Sequence, residues 1–202
     1  MKRLQYEEII QAYSEFKKKC NASRKKYKET YEGTKLFVAR KGNYKFRDEY
    51  VGDLFFHGME QMFLISPKGN LPILGMIYRG EIKNLLPGIK KEDVYNFLRS
   101  ALLAAPENQP FRGPLTRNLE FHGINDPPFT NEKFKNFIYY NIPAYERYEN
   151  FSFPVSISGD EIIGYKQNEG YVNLYVGCWH FSLLLDDFDI LRCNKNFKLF
   201  YT

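Results

Sequence analysis

The sequence predicts an α+β domain, and three observations carry that prediction. Two stretches of chain read as copies of one another, offset by 101 positions: Phe56, Gly58 and Glu60 align with Ile157, Gly159 and Glu161. The register continues through Gly69 with Gly170, Leu71 with Val172, Ile73 with Leu174, and Tyr78 with Trp179. Around the copies the chain is rich in aromatics, 16 Tyr and 18 Phe in 202 residues, which suit strands by area and by β-propensity. Between the copies, residues 91–105 carry one clear apolar stripe at helical spacing. A duplicated strand, turn, strand unit predicts an antiparallel sheet from two pseudo-equivalent hairpins with a cleft between them. One central helix packs on that sheet, and an N-terminal amphipathic helix docks outside it. The length allows one good core, so we expect a basic helical segment over 1–33 and an α+β domain over 34–202. That domain holds the repeat at about 50–105 and 151–185.

Taken in order, Leu4, Tyr6, Ile9, Ile10, Tyr13, Phe16 and Cys20 recur at helical spacing, so 3–20 reads as a helix with Lys17, Lys18 and Lys19 at its cationic end. Asn21 to Ser23 interrupts it, and Arg24, Lys25, Lys26 and Lys28 form a second basic run before Gly33. Strands follow over 35–40, 50–57, 61–66 and 71–80, with Pro67 to Asn70 as a hairpin turn. In the 91–105 helix, Val94, Phe97, Leu98, Ala101, Leu102 and Ala105 form the stripe, Glu92 and Asp93 suit its positive end, and Pro106 stops it. Residues 106–130 read as an ordered loop around Pro110-Phe111-Arg112-Gly113-Pro114, and 131–141 is open between helix and strand. The second copy gives strands over 153–159, 161–166 and 171–185 with a turn at 168–170, and a last strand over 197–201 closes an edge.

Net charge is +5, but it is concentrated. Residues 1–41 hold twelve basic side chains against five glutamates, a surplus of seven, while the rest of the chain carries a deficit of two. Three cysteines (Cys20, Cys178, Cys193) without close spacing argue against a disulfide framework and a zinc ribbon, and for a cytoplasmic protein with free thiols. A charged N-terminus and the lack of a long apolar run argue against a signal peptide and a membrane span. No glycine-rich phosphate loop, Gly-x-Ser-x-Gly elbow or His-Glu-x-x-His occurs, and no cofactor or metal is expected.

Several segments together resemble an uncharacterised bacterial domain family whose members occur alone or behind a helix-turn-helix of the phage-repressor type. They are LFVARKGNY at 36–44, RDEYVGDLFFHGME at 47–60, LPILGMIYRG at 71–80, FLRSALLAAPENQPFRGP at 97–114, and 157–181. The resemblance covers roughly 34–185 and implies an α+β domain in a regulatory setting, without an assigned activity. The chain departs from the family pattern in three places. Gly177-Cys178-Trp179 stands where the family has His-Gly-Gly, 124–150 reads as an insertion, and the N-terminal segment is too short and too uniformly basic for a full helix-turn-helix.

Candidate site residues are weighed against structural roles. Glu60 and Glu161 are repeat-related carboxylates, each two residues after a glycine at an expected strand bend. Paired carboxylates can do acid/base work, while ion pairing to Arg47, Arg79 or Arg112 is the structural account. Arg112 sits in a loop stiffened by prolines, so its guanidinium either meets a ligand carboxylate or phosphate, or bridges the halves internally by holding Glu60 or Glu161. Tyr44, Tyr78, Tyr175 and Trp179 either line an apolar pocket or fill the core. His57, His122 and His180 each adjoin a phenylalanine, which favours packing over metal binding, and His180 shares a strand face with Cys178. Asp186, Asp187 and Asp189 read as a solvated turn.

Three functions follow. The first is a cytosolic ligand-binding or protein-interaction module, regulatory in setting, with Arg112, Tyr78, Trp179 and Arg47 at its cleft and a small molecule or protein as partner. The second is a hydrolase or transferase with Glu60, Glu161 or His180 catalytic and Arg112 as an anion clamp. The third is nucleic-acid binding through Lys17, Lys18, Lys19, Arg24, Lys25 and Lys26. An enzyme requires a pocket with an unpaired glutamate of raised pKa, which is the observation that separates it from the others.

Overall fold

The computed structural model describes residues 6–22, 27–30, 32–107, 112–116, 118–119, 124–125, 127–144, 156–168 and 170–184. Helix α1 (Tyr6–Ala22) precedes β1 (Lys28–Glu29), β2 (Lys35–Lys41), β3 (Tyr44–Gly52), β4 (Phe55–Ser66) and β5 (Gly69–Ile82). After α2 (Lys91–Leu103) come the short β6 (Asn118–Leu119) and β7 (Ile124–Asn125), then β8 (Phe137–Ala144), β9 (Ser156–Gln167) and β10 (Gly170–Leu183). Apart from the β6/β7 pair, the strands form one 8-stranded antiparallel sheet in the order β1-β2-β3-β4-β5-β10-β9-β8. The fold is α+β, as expected.

The repeat holds in the register. Gly58 pairs with Tyr78 in the first hairpin and Gly159 with Trp179 in the second. Each hairpin carries a bulge at the equivalent residue. Met62 faces Leu74 and Phe63 faces Pro72, leaving Ile73 over, while Ile163 faces Tyr175 and Gly164 faces Asn173, leaving Leu174 over. The two bulged carbonyls are then satisfied from the opposite copy: Leu184 N–H donates to Ile73 O at 3.1 Å and Lys83 N–H to Leu174 O at 2.9 Å. The copies meet where β5 pairs with β10, and there Tyr78 lies directly opposite its own equivalent, Trp179. A pseudo-two-fold axis therefore runs between those two rings.

The repeated glycines do not bend the chain; they make room. A Cβ on Gly58 would lie 2.6 Å from the Tyr78 ring, and one on Gly159 would lie 2.6 Å from the Trp179 ring. With no bend there, 156–159 and 161–166 of the segments expected as separate strands form the single strand β9, 153–155 lying outside the described residues, and 61–66 extends back to Phe55. The expected strand at 50–57 instead contains the turn from β3 to β4, with Gly52 at φ 99°. Residues 131–141 divide into a 3₁₀ turn at Glu132–Phe134 and the start of β8.

Both helices pack on one face of the sheet. Helix α2 buries Val94, Phe97, Leu98, Ala101 and Leu102, and Asp93 Oδ2 accepts from the Lys90 N–H at 3.0 Å to cap its first turn. Helix α1 buries Ile9, Ile10, Tyr13, Phe16 and Cys20 in the same core as Phe46, Met62, Met76 and Phe181. The helix expected outside the domain is thus part of its core, because its stripe is continuous with the sheet's inner face. The opposite face exposes Val38, Met59, Ile77 and Ile142. His122, Asp186, Asp187, Asp189, Cys193 and the strand expected at 197–201 lie outside the described residues.

Candidate functional site

Strand alternation brings Asp48, Glu60 and Tyr78 to the inner face on β3, β4 and β5, and Asn141, Glu161 and Trp179 to the same face on β8, β9 and β10. Asp48 faces Glu60 across β3/β4, just as Asn141 faces Glu161 across β8/β9. The hydrogen bonds repeat too. Tyr78 O–H donates to Asp48 Oδ1 at 2.7 Å, and Trp179 Nε1–H donates to Asn141 Oδ1 at 2.9 Å. All six residues are buried.

Arg112 ties the halves together. It is the one non-glycine residue with positive φ (68°) among the described residues, a left-handed backbone conformation that turns its side chain into the core. Its Nε and Nη2 donate to Glu161 Oε1 and Oε2 at 2.9 and 3.2 Å, and its guanidinium carbon lies 4.6 Å from the centre of the Tyr78 ring. The next residue must be small, since a Cβ on Gly113 would lie 2.5 Å from Tyr139. Asn141 Nδ2 donates to the Gly113 carbonyl at 2.9 Å, fixing the loop to β8. Tyr139 and Tyr175 donate to the two Glu161 oxygens at 2.8 and 3.0 Å, so that carboxylate accepts four hydrogen bonds. Burial is the largest single influence on Arg112 and lowers its pKa, but the charge of Glu161, with Tyr175, the hydrogen bonds to Glu161 and the charge of Glu60 added, together hold the guanidinium well above its ordinary value.

Glu60 is held differently. Tyr13 O–H donates to its Oε2 at 2.5 Å and Lys17 Nζ lies 3.4 Å from the same atom; Oε1 accepts no hydrogen bond among the described residues. Burial raises the pKa of Glu60, Lys17 opposes that rise, and Asp48 adds to it. Burial likewise lowers Lys17 against the pull of Glu60. Both partners are pushed toward neutrality, the expected behaviour of an ion pair taken out of water. Asp48 Oδ2 accepts from the Tyr27 hydroxyl and, at 3.3 Å, from the Cys20 thiol. Burial, above all, pushes both of those donors up, so each stays protonated.

A cavity of about 210 Å³ opens between this half of the sheet and the helices, with Asp48, Glu60, Tyr78 and Arg112 on its wall beside Phe56 and Leu98. Lys35, Tyr50, Asp53, Tyr95 and Arg99 stand at its more exposed end. A larger hollow of about 790 Å³ lies over the open face of the sheet, among His57, Ile77, Arg79, Asp160, Cys178 and His180. Of the two, the smaller has the buried charge, and it is the candidate site.

The structure thus gathers Glu60, Arg112 and Tyr78 at one cavity and Glu161 and Trp179 just behind it. Arg47 lies on a half-exposed stretch of β3 in an ion pair with Glu49, and does not line the cavity. His180 is on the opposite face, its Nε2 3.2 Å from Ser156 Oγ and 2.9 Å from Ser182 Oγ, so it does not join Glu60 and Glu161. Cys178 shares that face, where its sulfur accepts from Arg79 Nε at 3.0 Å. Lys17 faces the core at 3% exposure, Lys18 pairs with Glu107 at 2.9 Å, and Lys19 is exposed; Arg24, Lys25 and Lys26 lie outside the described residues. Phosphate contact is therefore closed to Lys17, whose ammonium is buried against Glu60.

Sequence reasoning passed over Asp48, Asn141, Tyr13 and Tyr139. The signal for α1 was present: Lys17 sits within the apolar stripe formed by Tyr13, Phe16 and Cys20, so its charge needed a buried partner. Asp48 and Asn141 are 93 positions apart and escape a search at an offset of 101.

Residues 48–141 match a family described as a domain of unknown function, DUF5680. The match takes in Asp48, Glu60, Tyr78, Arg112 and Asn141, and leaves α1, Glu161 and Trp179 outside. The match supports the resemblance to an uncharacterised domain family, over a narrower span than the 34–185 read from the sequence, and says nothing of a bacterial origin or a helix-turn-helix setting. No curated protein and no solved structure matches the chain.

Proposed function

We propose that the chain is a small-molecule-binding module whose site is the cavity between α2 and strands β3 to β5. One observation carries this reading: Asp48, Glu60 and Arg112, each at most 5% exposed, stand on the wall of a cavity of about 210 Å³. Burying ionisable groups is costly, and a cavity with such groups on its wall is the default candidate for a ligand site. A sensing role fits, because Tyr13 and Lys17 on α1 and Tyr27 just beyond it touch the same acids, so occupancy alters the seat of α1. A reducing, cytosolic setting agrees with the free thiols of Cys20 and Cys178.

The hydrolase or transferase alternative asks Arg112 to clamp an anion, and its guanidinium is already taken by Glu161. The nucleic-acid alternative loses Lys17 to the core.

Native mass spectrometry of protein purified gently from its host, against a denatured control, tests the reading. A small molecule released on denaturation, and absent from a Leu102→Trp variant that fills the cavity, is the expected result. A ligand retained in that folded variant, or a host extract whose small-molecule fraction leaves the melting temperature unmoved, overturns it.

A further inference from the structure

We propose that this cavity takes a nucleobase, with its flat ring among the tyrosines and its Watson–Crick edge inward, accepting from Arg112 Nη1 and donating to Glu60 Oε1. The inference rests on the small-molecule reading above and adds the chemical class.

The polar atoms on the inner wall divide into engaged and open ones. Asp48 is engaged on both oxygens, by Tyr78 on Oδ1 and by Tyr27 and Cys20 on Oδ2. Lys17 and Tyr13 both address Glu60 Oε2, and Glu161 takes Arg112 Nε and Nη2. Arg112 Nη1 and Glu60 Oε1 have no hydrogen-bond partner among the described residues. Arg47 Nε is the one side-chain nitrogen or oxygen there that is both sealed from solvent and unpartnered. The two open atoms of Arg112 and Glu60, both buried residues, are therefore not sealed in protein; they face the cavity that both residues line.

This donor and this acceptor are neighbours. The Arg112 guanidinium carbon lies 4.6 Å from the centre of the Tyr78 ring, and Tyr78 stands two residues from Met76, which faces Glu60 across β4/β5. Tyr78 is thus the diagonal neighbour of Glu60 on the inner face and borders both groups. After burial, the largest influence on both pKa values, each charge acts on the other: Arg112 draws Glu60 down and Glu60 holds Arg112 up. Yet the two do not close into an ion pair, since Glu60 pairs with Lys17 and Arg112 with Glu161. A charged ligand is disfavoured from either side, because an anion meets Asp48 and Glu60 out of water and a cation meets Arg112. A neutral edge with an acceptor beside a donor meets neither penalty and satisfies both open atoms. The Watson–Crick edge of a nucleobase is such an edge.

Size and walls agree. Tyr27, Tyr50, Phe56, Tyr78 and Tyr95 all stand on the cavity, and every base has a π-face to set against such rings. A volume of about 210 Å³ is roughly seven waters' share of the liquid, and falls below the roughly 300–1,000 Å³ of pockets for drug-sized ligands. That is room for one base and not for a whole nucleotide. The base fits whether free or as the head of a nucleoside whose sugar stays at the more exposed end, by Lys35 and Asp53.

Calorimetric titration of the full chain tests this with adenine, hypoxanthine, cytosine, uracil and thymine, each beside two methylated relatives. One relative carries its methyl on the Watson–Crick edge, as in 3-methyluracil, and the other on the nitrogen that bears the sugar in a nucleoside, as in 1-methyluracil. The expected result is at least one base that edge methylation weakens by about tenfold or more. Methylation at the sugar-bearing nitrogen then separates the two sources: it is tolerated if the ligand is a nucleoside and weakens binding if it is the free base. Lys17→Met combined with Glu60→Met replaces the buried pair by apolar side chains and removes the acceptor. In that double variant the base should bind about tenfold more weakly, and its advantage over the edge-methylated relative should shrink. Because the variant alters the core, edge methylation on the native chain decides if it fails to fold. A base that binds no better than its edge-methylated relative overturns the proposal, as does an undiminished advantage in the folded double variant, or binding by none of the probes. If none binds while host extract still raises the melting temperature and Leu102→Trp abolishes that rise, the ligand class is wrong and the site stands. If extract has no effect either, both readings fall.

Discussion

Glu60 and Glu161 hold the same place in two copies of one hairpin and meet different company. Glu161 accepts four hydrogen bonds, two of them from a guanidinium that matches its geometry, and does not line the cavity of about 210 Å³. Glu60 receives a hydroxyl and an ammonium on one oxygen and borders open space. The sheet supplies the same frame twice. What differs comes from outside the repeat: the loop carrying Arg112 and β8 close over Glu161, while α1 reaches Glu60 with a single Lys and a single Tyr. Symmetry thus places two acids, and the unrepeated elements decide that one becomes a structural anchor and the other stays available.

The largest expected effect comes from stripping the anchor. Arg112→Ala leaves Glu161 buried and without its cation, and should cost about 3–5 kcal/mol in urea unfolding. The open half should be more forgiving. Lys17→Met leaves Glu60 able to take up a proton, so the cost should fall to about 1–3 kcal/mol, and adding Glu60→Gln should recover most of it. If Lys17→Met proves as costly as Arg112→Ala, the contrast between the halves fails.

The smallest effect concerns pH. The pKa of Glu60 is raised in the folded chain, so folding favours its proton. The stability this contributes is fully present below the ordinary carboxylate value of 4.5 and is lost as pH rises through the folded value. Stability measured from pH 4 upward should therefore decline less steeply in Glu60→Gln than in the native chain. An unchanged slope would mean that the Lys17 charge has cancelled the burial effect.

Much of this frame was legible beforehand. The offset of 101 marked the bulged residues Ile73 and Leu174 and the axial pair Tyr78 and Trp179, because a duplicated register leaves duplicated side chains. The α2 stripe was legible because a half-buried helix must show its period. The glycines were misread as bends, since a sequence shows a missing Cβ and not the ring that fills its place. Arg112 stood out in its proline-bound loop, but whether it served a ligand or Glu161 could not be read without the distance between them. Lys17 was misplaced because it was counted with its basic neighbours when its position on the helix put it with Tyr13.

The exchange of bulge carbonyls across the β5/β10 seam has a consequence for how the molecule relates to others of its kind. Gly80 pairs with Gly177, and Met76 with Phe181, which are each other's counterparts under the repeat. That is the geometry of an isologous dimer, in which a patch meets its own copy, here built within one chain. An edge strand of this length presented to solvent would invite another molecule to add to it. By carrying its own partner, the chain closes that edge within itself, and the duplication does the work that a subunit interface does elsewhere.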